Sequence, residues 1–183
     1  MSRPSRADAE RNRLRVLEVA HDLFAERGDE VQMAEVARAA GVGVGTVYRH
    51  FPTRRALVEA VAVRRFAEIL AFAEEQCLTQ PDACGAVAAL LTHVGEVHEQ
   101  GRAVSGVIEA AFGGTAPRGE VGEALLAMGA RLVERGREDG TLRADVTVGD
   151  LYMSVGAVAV LSRDAIGDWR RFVQIVLDGL RGR

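Results

Sequence analysis

A chain of 183 residues that is 48% hydrophobic and 27% charged can bury a sizeable core in one large or two modest domains, with the composition of an ordinary globular protein. A net charge of −3 excludes a protein that coats nucleic acid over its whole surface. The charge is uneven: residues 1–60 carry 10 arginines against 9 acids, and residues 61–183 carry 13 against 17, so a slightly basic head precedes an acidic body, as in a protein that meets phosphate at one end.

Hydrophobic periodicity and turn residues divide the chain into helical segments, none with the alternation of a strand. From about Asp8 to Arg27, the residues Val16, Leu17, Ala20, Leu23 and Phe24 form one apolar stripe, and Gly28 sits at the C-cap. A short helix from about Gln32 to Ala40 ends at Gly41. The tight Gly41-Val42-Gly43 link then leads into a third piece, Val44 to His50, closed by Phe51-Pro52. Thr53 can cap a long helix running to about Leu78, before the break at Thr79-Gln80-Pro81. Asp82 caps a fifth helix to about Glu99, with Val87, Leu90, Leu91, Val94, Val97 and His98 on one face. Four more are expected over about Ala103 to Phe112, Gly119 to Asp139, Val148 to Arg163 and Trp169 to Arg181. In the seventh, Val121, Leu125, Met128, Leu132 and Val133 point inward. The expectation is an all-α protein of about nine helices.

Two short helices joined by a glycine-bearing turn are the helix-turn-helix arrangement. Its second helix must present its N-terminal residues to base edges in the major groove. Here that end is Gly43, Val44, Gly45 and Thr46, where two glycines let backbone approach DNA and Val44 and Thr46 can each meet a thymine methyl. Tyr48, Arg49 and His50 can donate to phosphates, as can Thr53, Arg54 and Arg55 at the start of the next helix. Arg38, on the first helix of the pair, joins this set. Five further arginines, Arg3, Arg6, Arg11, Arg13 and Arg15, fall in the first fifteen residues.

The segments Phe24-Ala-Glu-Arg-Gly28, Val36-Ala37-x-x-Ala40-Gly41-Val42 and Gly45-Thr46-Val47-Tyr48-Arg49-His50-Phe51-Pro52 resemble the N-terminal signature of the TetR family of bacterial regulators, almost continuously over residues 10–60. The resemblance implies a three-helix helix-turn-helix DNA-binding domain (residues 1–53) followed by a helical effector-binding and dimerisation domain (residues 54–183). It implies a transcription regulator, a repressor, that binds a palindromic operator as a homodimer and is released by a small, largely apolar effector. It also implies phosphate contacts at Tyr48 and His50, and a grip on phosphate by the first residue pair of the fourth helix, where Arg54 stands for the family's usual lysine. Three departures are visible. Val31 stands where threonine often caps the second helix, so that cap comes from elsewhere or is absent. Gly43 replaces the usual serine cap of the recognition helix, and Val44 replaces a polar or basic base-reader, which favours an apolar contact.

Beyond residue 61 the middle helices are expected either to pack solid or to enclose an effector. The candidate lining is Phe66, Leu70, Leu91, Val94, His98, Ile108, Phe112 and Met128. His98 either bonds a glutamate, Tyr152 or a helix end, or anchors the effector, because a titratable group in an apolar stripe needs a partner. By resemblance the last two helices form a four-helix dimer interface, with Leu151, Val155, Val158, Trp169, Phe172, Val173, Val176, Leu177 and Leu180 as its residues. The other reading buries the same stripes inside one subunit. Cys77 and Cys84 lack the company of a zinc site and read as small buried hydrophobes or as a redox pair. No metal, cofactor or catalytic residue is expected, since no nucleotide loop, metalloprotease motif or nucleophile elbow occurs. The polar N-terminus has no signal-peptide core, and no apolar run reaches the ~18–20 residues of a membrane helix, so a cytoplasmic location is expected.

Overall fold

A computed structural model describes residues 6–114 and 116–182. Among these residues it contains nine α-helices: α1 (Arg6–Arg27), α2 (Met33–Ala39), α3 (Val44–His50), α4 (Arg54–Phe72), α5 (Ala83–Gln100), α6 (Arg102–Phe112), α7 (Gly119–Glu138), α8 (Val148–Asp164) and α9 (Trp169–Leu180). The all-α class follows. No helix among the described residues is long and apolar enough to cross a membrane.

The chain packs as two compact units, one from residues 6–64 with 103–114, the other from 65–102 with 116–182. In the first unit, Val16, Leu17, Ala20 and Phe24 of α1 are buried with Val36 and Ala37 of α2, Val47 of α3, Phe51, and Leu57, Val58 and Val61 of α4. Each fully buried Val, Leu or Phe of this set stabilises by about 1.5–3 kcal/mol relative to exposure. α6 joins this unit, and Arg55 of α4 lies with its guanidinium carbon 4.7 Å from the Phe112 ring centroid at the end of α6. A division drawn at residue 53 in chain order does not anticipate this, because a segment that returns to an earlier unit leaves no mark in local composition.

In the second unit α5 is the central helix, packed against α7, α8 and α9. Its Val87, Leu90, Leu91, Val94 and His98 are buried, while Val97 of the same predicted stripe is half-buried; Met128, Leu132, Val133, Leu151, Val158, Trp169 and Val173 from the other helices are buried with them. Val121 and Leu125, expected inward, are only half-buried. Caps match the sequence: the Asp82 carboxylate accepts from Gly85 N–H at 2.7 Å, and Thr53 Oγ1 accepts from Ala56 N–H at 3.0 Å. The fourth helix departs from expectation. Its α-helical part stops at Phe72, and one π-helical turn, Ala73–Cys77, continues it. A π-turn inserts one extra residue per turn without changing composition, so periodicity reads straight through it.

Candidate functional site

α2 ends in a Schellman turn: Val42 N–H donates to Ala37 O at 3.0 Å and Gly41 N–H to Arg38 O at 3.2 Å. Gly41 takes φ +67°, the left-handed conformation that glycine adopts without penalty. The chain then extends through Gly43, which caps α3 with φ −67°. Val47 is the buried anchor of α3 at 0% exposure. Gly43, Val44, Gly45, Tyr48 and Arg49 are exposed and Thr46 and His50 half-buried, so α3 turns one continuous face outward. A Cβ on Gly45 would meet nothing within 4 Å, and one on Gly43 only Thr46 Oγ1 at 3.9 Å. The protein's own packing therefore does not demand glycine at either position.

The cap missing at Val31 comes from one residue later. Gln32 is the N-cap of α2, and its N–H donates to Glu35 Oε2 at 2.9 Å. Arg27 holds the same carboxylate at 2.7 Å, and this pairing keeps Glu35 below the usual carboxylate range. Val31, 1% exposed, serves the core instead, which is why a capping side chain is absent there.

Among the remaining DNA-contact candidates, Arg38, Thr53 and Arg55 are exposed. Arg54 differs. Its Nη2 donates to Asp29 O at 3.0 Å and Asp29 Oδ1 at 2.8 Å, its Nε to Val31 O at 3.3 Å, and its guanidinium lies 5.4 Å from the Phe24 ring centroid. It is turned toward the protein. Arg13 stacks over Phe51 at 5.6 Å, while Arg3 lies outside the described residues.

The effector candidates divide between the units. Ile108 and Phe112 belong to the first, the others to the second. Phe66, Leu91, Val94, His98, Ile108 and Met128 are buried, and Leu70 and Phe112 half-buried. His98 is pushed down to about 3, first by burial and then by the positive fields of Arg65 and Arg163, so it is neutral at pH 7. Sequence reasoning passed over Arg65, which is 5% exposed and donates to Val97 O at 2.7 Å and Gly101 O at 3.4 Å, closing the end of α5. Its place in the stripe Val61, Ala62, Arg65, Phe66, Ile69 was the available signal. Two open clefts of the second unit, about 920 and 530 Å³, lie around Gly140–Arg143 and Asp178–Gly182, and none of the effector candidates lines them.

Four of the proposed interface residues, Leu151, Val158, Trp169 and Val173, are buried inside the second unit, where α8 and α9 both pack on α5. Val155, Phe172, Val176, Leu177 and Leu180 are half-buried. The outward apolar residues are Met153, Val160 and Ile175, 70%, 40% and 54% exposed, with Gly156 and Gly179 exposed beside them. Cys77 and Cys84 are buried thiols, and burial pushes Cys77 up to about 11.

Residues 16–61 match the family model of bacterial regulatory proteins of the tetR family, and residues 85–182 match that of the SbtR-like C-terminal domain of transcriptional regulators. An HTH-type transcriptional regulator of Staphylococcus aureus is 45% identical over 60 residues, 32% of this chain and 32% of that protein, so the match spans about a third of the length of such curated relatives. Among solved structures, a TetR transcription regulatory protein from Mycobacterium vanbaalenii is 37% identical, covering 97% of this chain and 99% of the other with a TM-score of 0.66. The TetR transcriptional regulator SCO0520 of Streptomyces coelicolor is 25% identical, covering 93% and 98%, TM-score 0.65. RolR, solved in complex with resorcinol, is 25% identical, covering 96% and 90%, TM-score 0.74.

Proposed function

Since the chain belongs to the TetR family of transcriptional regulators and carries that family's DNA-binding helix-turn-helix, we propose that it is a repressor that binds a palindromic operator as a homodimer and is released by a small, largely apolar effector. The observation that carries the DNA-reading part is the outward face of α3: two glycines that packing does not require, flanking an exposed valine. Bare backbone at Gly43 and Gly45 admits a close approach to DNA, Val44 and Thr46 meet base edges, and Arg38, Tyr48, Arg49, His50, Thr53 and Arg55 meet phosphates. The cytoplasm, where a bacterial chromosome is reached, is the proposed place of action.

One recognition helix makes few contacts, and a two-fold dimer reads two half-sites about one helical turn or more apart. Support for the dimer is the apolar stripe Met153, Gly156, Val160 on α8, at spacings of three and four, with Phe172, Ile175, Val176 and Gly179 on α9. The effector is assigned to the second unit's interior, where Phe66, Leu91, Val94 and Met128 offer apolar surface and His98 a neutral polar group. RolR, with its bound resorcinol, a single aromatic ring with two hydroxyls, is the precedent for a small ligand that pairs an apolar ring with polar groups. Release requires that the effector bind the two operator spacings with different affinity, and α4, which carries Arg54 and Phe66, is the element proposed to move.

Two substitutions separate base reading from backbone binding. Val44→Ala is expected to change preference at one base position of each half-site, by roughly 1 kcal/mol. Arg49→Ala is expected to weaken binding to all sequences alike and to lower the salt slope by about 0.9 per subunit. Equal loss on every sequence from both, in a binding series over randomised operators, contradicts the assignment.

A further inference from the structure

The position that opens α4 is where family resemblance implies a grip on phosphate, and in this chain Arg54 is engaged otherwise. A guanidinium has five N–H donors in a fixed fork. Here Nε and Nη2, one edge of that fork, serve Asp29 O, Asp29 Oδ1 and Val31 O, at 2.8 to 3.3 Å. The face of the group lies over the buried ring of Phe24. Asp29 lies in the single 3₁₀ turn Gly28–Glu30 that links α1 to α2. Val31, whose carbonyl Arg54 also holds, is buried and immediately precedes the Gln32 cap of α2.

We infer that Arg54 acts first as a positioning residue for the recognition helix, one that brackets the α1–α2 connection to the start of α4, rather than chiefly as a phosphate contact. The link to α3 is short and stiff. Holding Asp29 and Val31 fixes where α2 begins, and α2 and α3 are joined by a Schellman turn of four residues whose backbone bonds are 3.0 and 3.2 Å. Wherever the Arg54 bracket seats the start of α2, the exposed face of α3 follows. The same bracket passes any displacement of α4 to the DNA-reading pair, which makes it the proposed point of entry for regulation. This inference rests on the reading of α3 as the recognition helix.

The two roles make opposite predictions. A lost phosphate contact weakens specific and non-specific binding together and lowers the salt slope by about 0.9. A lost bracket misplaces α3, so specific binding falls while non-specific binding and the slope stay. The test measures affinity for the selected operator and for random DNA across a salt series, with Arg54→Lys, Arg54→Ala and Asp29→Ala, and circular dichroism on each variant. Lysine keeps the charge but is a point donor that cannot span three acceptors. Arg54→Lys is therefore expected to bind the operator about tenfold more weakly, with random-DNA affinity unchanged. Asp29→Ala removes a negative charge from the basic end of the molecule, yet is expected to weaken operator binding several-fold. If Arg54→Ala does not fold, these two variants carry the test. Wild-type affinity in Arg54→Lys, or tighter operator binding in Asp29→Ala, overturns the inference while leaving the recognition helix intact. A wild-type protein that prefers no sequence overturns both.

Discussion

His98→Gln is expected to remove most of the loss of stability that the wild-type protein suffers between pH 6.5 and pH 5. In the unfolded chain a histidine takes up a proton near pH 6.5. In the folded protein His98 does so only at about 3, because it is buried and because Arg65 and Arg163 oppose a further positive charge. Between those two values the unfolded state holds the extra proton, so stability falls as the pH falls, by about 1.4 kcal/mol per unit for one group. The contribution is complete above pH 6.5 and declines through the whole window down to about 3. From pH 6.5 to 5 the loss is about 2 kcal/mol. His93, half-buried in a stack with Phe72 at 3.7 Å, is also shifted down by burial and adds in the same direction. The paired carboxylates, among them Glu35, Glu99 and Asp139, are held below their usual range and so lose their contribution only at lower pH. Denaturant midpoints at pH 7, 6 and 5 isolate the histidine part. Identical losses in wild type and His98→Gln contradict the account of His98 as buried and neutral.

Gly95→Ala should be among the most damaging single substitutions in the second unit. A Cβ at Gly95 would overlap the six-membered ring of Trp169, and Trp169 is 4% exposed, so a rigid ring has to leave its place between α9 and α5. Overpacking of this kind costs about 1–3 kcal/mol or more, enough to lower the melting temperature of a protein of this size by roughly 3–10 °C. Gly129→Ala is the internal control. Its Cβ would meet Leu151 Cδ2 and Val148 Cγ2 at 3.5 Å, an ordinary contact, and alanine is the better helix former by about 1 kcal/mol. Melting temperatures of the two variants should therefore move in opposite directions. An unchanged or raised melting temperature for Gly95→Ala would show that Trp169 is not seated as described.

Local signals were legible where the chain punctuates itself. Gly43 and Phe51-Pro52 bracket α3 so closely that its limits, Val44 and His50, match the structure. Asp82 and Thr53 cap the helices expected of them because a cap is decided within three residues. What stayed hidden depends on partners far along the chain. Arg54 and Asp29 are 25 residues apart, and nothing near Arg54 distinguishes an arginine turned inward from one facing phosphate. Arg65 closes α5 from 32 residues away, an arginine inside an apolar stripe whose acceptors are backbone carbonyls. On α8 and α9 the apolar residues were recognised but not their division between the inner and outer faces. Trp169 packs toward α5 because Gly95 leaves room there, and Val173 is buried with it, while Met153, Val160 and Ile175 look outward. The extra residue of the π-turn and the return of α6 to the first unit likewise have no local signature.

The central claim is that the exposed face of α3 reads DNA sequence, and the most direct test is selection of genomic fragments by the purified protein, followed by sequencing of what is retained. The account predicts enrichment of an inverted repeat whose half-sites lie about one helical turn or more apart, and loss of that enrichment when Thr46 and Tyr48 are both replaced by alanine in a protein that still folds. Retention of fragments without any shared sequence, or an unchanged repeat from the doubly substituted protein, would contradict it.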